Sequence, residues 1–345
     1  MRIAITIPGV PFVRGGAEAL ADGLKAACIE AGHECDILSM PFAREPPEEM
    51  ERQIAAWQTL RFDRLWVQPD HVIGLKFPAY LAKHEHASIW LLHQHRESYE
   101  LLDQERARRD SAYAHGSERV RELDREVLGK AAAGNRVFTI AKNVSRRLKR
   151  DTSIEAPALY HPPPRHEEIY AEGYEPVIFA PSRLEELKRQ GLLIEAMALS
   201  KSPVTAVIVG GGTMHEAYAR RIEELGIDWK VKLLGPVSRQ EMLAWYANCL
   251  AVFYAPHDED YGYVTLEAML AGRAVITCDD SGGPLEFVRA GETGIVAKAD
   301  AAELAAAIDG FAADQARARA MGEAGREHYH AQEISWDKVV AALTC

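Results

Sequence analysis

The sequence predicts an α/β protein of two doubly wound domains, and three observations carry that expectation. Short runs rich in Val, Ile and Leu alternate with helix-compatible stretches along almost all of the 345 residues. Runs of that kind, buried on both faces, pair as parallel sheets covered by helices. The alternation stops at the proline-rich "YHPPPRHEE" and then restarts, and Pro162–Pro164 can continue neither a helix nor a central strand. The length is large for one core and comfortable for two.

In the first half "RIAITI" reads as a strand, followed by a Gly-Gly loop and the helix-like "AEALADGLKAACIEAG". The runs "ECDILSM", "RLWVQ", "ASIWLL" and "RVFTI" read as further strands, each followed by helix-compatible residues. Arg96 to Lys130 is highly charged and helix-prone, longer than a crossover needs, and reads as a solvated excursion or a specificity element. Beyond the prolines the strands are "VIFAPS", "TAVIVGGG", "VKLLG", "AVFYAP", "AVIT" and "GIVA". The terminal "AQEISWDKVVAAL" places Ile334, Val339, Val340 and Leu343 at helical spacing, with Trp336 as an anchor. The expected domains are residues 1–165 and 166–330, each Rossmann-like, with a helix over 331–345 crossing back to the first.

Composition narrows the function. The chain is 48% hydrophobic and 26% charged, as ordinary globular proteins are, and its net charge is −11. That acidity argues against broad nucleic-acid binding, which needs basic surface to displace counterions. No apolar run reaches the length of a membrane span. "MRIAITIPGV" carries no cleavage site and does not read as a signal peptide. Cys28, Cys35, Cys249, Cys278 and Cys345 are scattered without a Cys-x-x-Cys, so free thiols in a reducing cytoplasm are expected. Lys142, Arg146, Arg147, Lys149 and Arg150 fall in one helix-like stretch. They read as a solvated face, or as a weak peripheral contact with an anionic membrane at about 1 kcal/mol per charge.

The chemistry concentrates in "APHDEDYGYVTLEAMLAGRAVIT", where Glu259 and Glu267 stand eight positions apart across a Gly-Tyr bend. A strand ends at "AVFYAP" and a helix begins around Gly262. In open parallel sheets ligands bind at the carboxyl ends of the strands, and a helix's first turn offers amides and a positive dipole end to a phosphate. Carboxylates there would repel phosphate, so they should face vicinal hydroxyls, from which one carboxylate accepts twice. Hydroxyls on either side of a phosphate describe a nucleotide-sugar. The plainer alternative is a solvated acidic loop with Asp258 and Asp260, and a surface glutamate on the helix. In "FAPSRLEELKRQGLLIEAMA", Arg183 and Lys188 also follow a strand, a guanidinium fork and a compact ammonium suited to a diphosphate. Glu185 and Glu186 could instead pair with them. "AVIVGGGTMHE" and "DDSGGPLEFV" add small-residue loops at Gly210–Gly212 and Ser281–Gly283.

Taken together, "PSRLEELKRQGLLIEAMA", "KLLGPVSRQEMLAWYANC" and "EDYGYVTLEAMLAGRAVITCDDSGGPLEFV" resemble, in order and spacing, the retaining glycosyltransferases of family 4. The resemblance extends over nearly the whole chain. It implies the GT-B fold, two Rossmann-like doubly wound domains facing across a cleft. Glu259 and Glu267 are similar to that family's Glu-x7-Glu pair. The resemblance implies that Arg183 and Lys188 hold the donor diphosphate and stabilise its charge as the sugar leaves. Glu267 would accept from the ribose, Glu259 would touch the transferred sugar, and backbone near Val237 and Ser238 would bound the base. Gly211, Tyr261, Gly262, Tyr263 and Val264 complete the implied donor site. "VPFVRGGAEALADGL" resembles the family's Gly-rich loop, so Gly15 and Gly16 would approach donor or acceptor from the other domain. A crevice histidine is implied at His93, with His95 as the second choice. This chain departs from the family at Asp260, at Tyr261, and in "LKRQG", where a Lys-Gly step is usual.

His84, His86, His93 and His95 form two His-x-His pairs, a zinc reading set against structural or surface histidines, since the first pair falls in helix-like sequence. The expectation is a metal-independent enzyme whose nucleoside diphosphate sugar, UDP- or GDP-linked, is a co-substrate rather than a cofactor. The acceptor, a sugar, lipid or small molecule, would meet loops at Arg44–Glu51 and His93–Glu126. A non-hydrolysing nucleotide-sugar epimerase and a nucleotide-sugar-binding protein without turnover are the rivals. A glycosidase fits less well, because its carboxylates flank one bond.

Overall fold

A computed structural model describes residues 1–43, 48–100 and 111–345. The chain divides into two compact units, Met1–Pro164 with Ser335–Cys345, and Arg165–Ile334. The expected acceptor loops and the charged segment 96–130 lie outside the described residues at 44–47 and 101–110.

In the first unit β1 (Arg2–Gly9), β2 (Glu34–Pro41), β3 (His71–Gly74), β4 (Ala87–Leu91) and β5 (Val137–Thr139) form a parallel sheet ordered β2-β1-β3-β4-β5. This is a doubly wound order whose direction reverses between β1 and β3. β1 buries Ile3, Ile5 and Ile7, each removed side chain of this size contributing about 1.5–3 kcal/mol.

The third strand is not "RLWVQ". Trp66 and Val67 of that run are 101% and 57% exposed, and Pro69 follows, a residue with no amide to give a central ladder. The strand is "HVIG", buried along its whole length. Its one polar side chain is satisfied, with His71 Nε2 lying 3.0 Å from Ser88 Oγ. The residues around His84 and His86 are loop rather than helix.

The expected terminal helix is also shorter. Gln315–Ala331 is a helix of the second unit, and the backbone turns at Glu333, which has a φ of 48°. Ser335 then caps the last helix, Trp336–Thr344, which belongs to the first unit. Trp336 packs 6.1 Å from Trp90 and 5.5 Å from His161, centroid to centroid. Gly23 makes room for it, since a Cβ there would come within 2.6 Å of the indole. A mid-helix glycine costs roughly 1 kcal/mol in propensity, which seating the tryptophan offsets.

The five-residue basic cluster lies on the helix Lys142–Thr152 but is not one open face. Arg147 is buried and paired with Glu100 at 3.3 Å, while Lys149 and Arg150 pair with Glu155 and Asp151. No described helix is long and apolar enough to cross a membrane.

The second unit holds β6 (Glu175–Pro181), β7 (Thr205–Val209), β8 (Val231–Gly235), β9 (Cys249–Phe253), β10 (Ala274–Cys278) and β11 (Gly294–Ala297). The sheet is parallel, in the order β8-β7-β6-β9-β10-β11. Counted from β6, this is the 3-2-1-4-5-6 order of dinucleotide-binding folds, and its direction reverses between β6 and β9. β9 and β10 are buried at every residue, as unbroken apolar runs require. Buried Arg273 closes the end of helix Arg239–Asn248, donating to the carbonyls of Ala247 at 2.5 Å, Cys249 at 3.1 Å and Gly173 at 2.7 Å. Helix-end carbonyls lack partners of their own, so this cation anchors the helix that carries Tyr246.

Candidate functional site

The two loops that leave the sheet at its switch point, after β6 and after β9, meet through side chains. Leu187, Lys188 and Arg189 end the first loop, and the second runs from Tyr254 to Gly262. Leu187 O accepts from the amide of His257 at 2.8 Å, which seats the loops against each other. Lys188 Nζ then donates to Glu259 Oε2 and, at 3.2 Å, to the hydroxyl of Tyr254. The Tyr254 hydroxyl donates to the same Glu259 oxygen at 3.1 Å. Lys188 and Glu259 are 17% and 18% exposed, so the pair is shielded yet reachable. Tyr254 is buried, and that burial, with Glu259 beside it, pushes its hydroxyl well above the usual phenol range. It therefore stays a donor at all working pH values.

Backbone pairing fixes Glu259 from the other side. Its amide donates to Ser281 O at 3.0 Å, its carbonyl accepts from Gly283 at 2.8 Å, and Asp258 donates to Asp280 O at 2.9 Å. The loop after β9 is thus a short parallel extension alongside the loop after β10. Tyr261 is buried, edge-on to Phe287 and Tyr263. Its ring is a packing element of the bend.

Gly262 has a φ of 88°, a left-handed turn that starts the helix Tyr263–Leu270. The first amides of that helix, at Tyr263 and Val264, have no intrahelical carbonyl to bond. Glu267 lies one turn on. Its Oε2 accepts from the Tyr246 hydroxyl at 2.7 Å, and Arg239 stands 3.6 Å from its Oε1. Burial raises the Glu267 pKa above the ordinary carboxylate value, with Tyr246 and Arg239 opposing the shift.

Arg183 leaves the end of β6 exposed, and among the described residues no ion pair to its guanidinium occurs. Glu185 does not pair with it, and instead accepts from Thr213 Oγ1 at 2.9 Å. Gly211 lies beside this loop, its carbonyl accepting from Leu184 N at 2.9 Å. Val237 is half-buried at the end of β8. Ser238 caps the next helix, its amide donating to Glu241 Oε2 at 2.8 Å. That amide is therefore occupied within the protein.

In the first unit Gly15 precedes the helix Gly16–Glu30, and its amide donates to Glu18 Oε2 at 2.8 Å. His93 follows β4, with Nδ1 2.6 Å from the carbonyl of Gln94. A carbonyl only accepts, so Nδ1 carries a proton in this contact. His95 is engaged elsewhere, with Nδ1 2.8 Å from Ser98 Oγ and its ring against Phe77. Among the described residues no group of three or more His, Cys, Asp and Glu side chains is placed to hold a metal ion.

The second unit therefore gathers Lys188 with Glu259, and Glu267 at the head of the adjoining helix, with Arg183, Gly211 and Val237 on the same strand-end loops. Tyr254, Tyr246 and Arg239 contact these residues and were not singled out from the sequence. A tyrosine ending "AVFYAP" was the one signal available for Tyr254.

Residues 165–328, nearly the whole second unit, match the family described as glycosyl transferases group 1. A GDP-mannose-dependent alpha-(1-6)-phosphatidylinositol monomannoside mannosyltransferase of Mycolicibacterium smegmatis is 27% identical over 94% of this chain and 93% of its own length. A D-inositol 3-phosphate glycosyltransferase of Corynebacterium aurimucosum is 31% identical over 47% of this chain, which spans only 40% of that relative's length. Among solved structures, a sucrose-phosphate synthase from Thermosynechococcus elongatus aligns with a TM-score of 0.76 at 20% identity, covering 99% of this chain and 96% of the other. The Anabaena protein HepE, solved in complex with UDP-glucose, aligns with a TM-score of 0.69 at 17% identity, covering 99% and 98%. The fold is the one these structures share.

Proposed function

Because residues 165–328 of this chain belong to the glycosyl transferases of group 1, within a GT-B fold, we propose that it is a retaining, metal-independent hexosyltransferase using a nucleoside diphosphate sugar. The observation that carries this reading is the Lys188–Tyr254–Glu259 cluster at the switch point of the second sheet. On arrival of the donor, the diphosphate takes Lys188 and the Arg183 fork, and Glu259 turns to a hydroxyl of the sugar. Glu267, one helical turn away, accepts from the ribose diol. The first amides of the helix Tyr263–Leu270 meet the phosphate, and Val237 bounds the base.

As the bond from the anomeric carbon to the diphosphate oxygen breaks, negative charge grows on the leaving group. Lys188 and Arg183 stabilise that charge where it develops, in a shielded site. The protein supplies no covalent nucleophile on this reading. The diphosphate oxygen takes the acceptor's proton on the face it leaves, so the sugar keeps its configuration.

GDP-mannose is the first donor to test, since the relative matched along nearly its whole length is named for it. An inositol-bearing acceptor is the first to try, because both relatives named above carry inositol in their names. Calorimetric titration with GDP and with UDP, followed by product analysis of GDP-mannose and UDP-glucose incubations, tests the reading. Saturable binding of one nucleotide, with a sugar product that keeps its anomeric configuration, is expected. Binding of neither nucleotide sinks the proposal. A new epimer formed from donor alone would move the protein to the epimerase reading.

A further inference from the structure

Arg189 stands immediately after Lys188 in the left-handed region, with φ 54° and ψ 34°, where an arginine is strained and a glycine is not. Its guanidinium grips Asp280 with both arms, Nη1 to Oδ1 at 2.9 Å and Nη2 to Oδ2 at 2.6 Å. Nη2 also lies 2.5 Å from His257 Nδ1. The same His257 Nδ1 lies 3.3 Å from Asp280 Oδ2, so the three side chains form one cluster. Arg189 and Asp280 are 15% and 40% exposed, a fork-to-fork pair at a partly shielded position. The three residues come from three successive strand-end loops, after β6, β9 and β10.

We propose that Arg189 is a positioning residue for Lys188, a clasp that holds the three loops in the arrangement the diphosphate requires. This rests on the reading of Lys188 as the donor-phosphate cation. Lys188 Nζ hangs from a single 3-10 turn, Glu186–Lys188, whose end is Arg189. Without the clasp that turn keeps its Leu187 O–His257 N bond but loses its tie to the loop after β10, and the ammonium is held less closely to the place set by Tyr254 and Glu259. The contact does not belong to the transfer itself, because the guanidinium is committed to Asp280 and His257. At a position whose backbone favours glycine, the arginine side chain supplies a pair that offsets the strain.

The test compares Arg189→Gly, Arg189→Lys, Asp280→Asn and the double variant Arg189→Gly/Asp280→Asn with Lys188→Ala. The readouts are calorimetric binding of GDP and UDP, and release of nucleoside diphosphate from GDP-mannose or UDP-glucose with water as the acceptor. In that reaction the anomeric carbon–oxygen bond breaks, the water oxygen takes its place on the sugar, and the water proton goes to the diphosphate or solvent.

Arg189→Gly is expected to fold with a nearly unchanged melting temperature, because relief of the left-handed strain offsets the lost pair. Its kcat falls roughly tenfold or more while KM moves far less, as for a misplaced catalytic group. Asp280→Asn falls similarly, the double variant is no worse than either single, and Arg189→Lys recovers part of the loss. Wild-type kcat and nucleotide affinity in Arg189→Gly, alongside an inactive Lys188→Ala, overturn the clasp and leave the site reading standing. Wild-type behaviour in Lys188→Ala overturns the site reading, and the clasp with it.

Discussion

Lys188 and Glu259, 71 positions apart in the chain, form one shielded ion pair, and the Tyr254 hydroxyl touches both, 3.2 Å from the ammonium and 3.1 Å from the carboxylate. The pair holds the ammonium on the strand-end side of the sheet before any phosphate arrives. On the proposed reading, exchange of Glu259 for a diphosphate oxygen keeps Lys188 paired, so its charge would never stand uncompensated in a shielded site.

Lys188→Ala should cost about 10²–10³ in turnover, the usual loss when one charge-stabilising donor is removed. Melting temperature should move by only a few degrees, because Glu259 keeps its Tyr254 hydrogen bond and its backbone anchors. Nucleoside diphosphate release, measured at saturating donor, checks the first point, and a thermal melt checks the second. A variant that turns over at the wild-type rate would remove Lys188 from the mechanism.

Glu267 makes a pH-dependent prediction. Burial lifts its pKa above the ordinary carboxylate value of 4.5, which favours the protonated form in the folded protein. Its stability contribution is full below that value and is lost as pH rises through the folded pKa. Hydroxyl donors need the ionised form, so donor affinity has the opposite trend and weakens as pH falls through the same range. Glu267→Gln should bind nucleotide more weakly at neutral pH, show a flatter affinity profile on the acid side, and melt higher than wild type near pH 7. Affinity in the variant that still tracks pH as wild type does would assign the titration to another group.

Much of this site was legible in order along the chain, and the reason is topological. Ligand groups of a doubly wound unit follow strand ends, so "FAPSRLEELK" and "YAPHDEDYGY" announce themselves once the strands are placed. Tyr254, Tyr246 and Arg239 were not legible, because their roles depend on which loops and helices become neighbours. The Arg189–Asp280 pair spans 91 positions, and its one trace in the sequence is a missing glycine in "LKRQG". The misplaced third strand has a different cause. "RLWVQ" is as apolar as a strand, but only tertiary packing decides that "HVIG" fills the slot beside β1 while Trp66 stays in solvent.

Asp124, fully buried in the first unit, accepts from the hydroxyls of Tyr80 and, at 2.9 Å, Tyr99. Burial pushes its pKa up to about 7, against the two hydrogen bonds. The folded state holds the proton more tightly than the unfolded chain does. The stabilisation is therefore complete below the ordinary carboxylate value of 3.8 and drains away as pH climbs to about 7. Asp124→Asn should lose that slope, narrowing the gap to wild type as pH rises from 4 toward 7. Urea midpoints across that window measure it. Parallel slopes for the two proteins would mean that Asp124 is ionised at the ordinary pH.

His161 acts on the same unit with the opposite sign. It is wholly buried, its ring centroid 5.0 Å from Trp90 and 5.5 Å from Trp336. Burial lowers its pKa from 6.5 to about 3, because a charged imidazolium has no water between the two indoles. Above pH 6.5 both folded and unfolded states are neutral there, and the residue adds no pH dependence. Below that value the unfolded chain takes up a proton that the folded one refuses, so stability falls steadily down to about pH 3. His161→Phe keeps an aromatic ring between Trp90 and Trp336 and removes the titration. It should match wild type to within about 1–2 kcal/mol at pH 7.5, the usual tolerance for a buried ring replacement. At pH 5 it should be the more stable of the two. Because the last helix is seated through Trp336, tryptophan fluorescence should report the same change: acid release of that helix shifts to lower pH in the variant. An unshifted acid transition in His161→Phe would place the first unit's acid sensitivity on some other group.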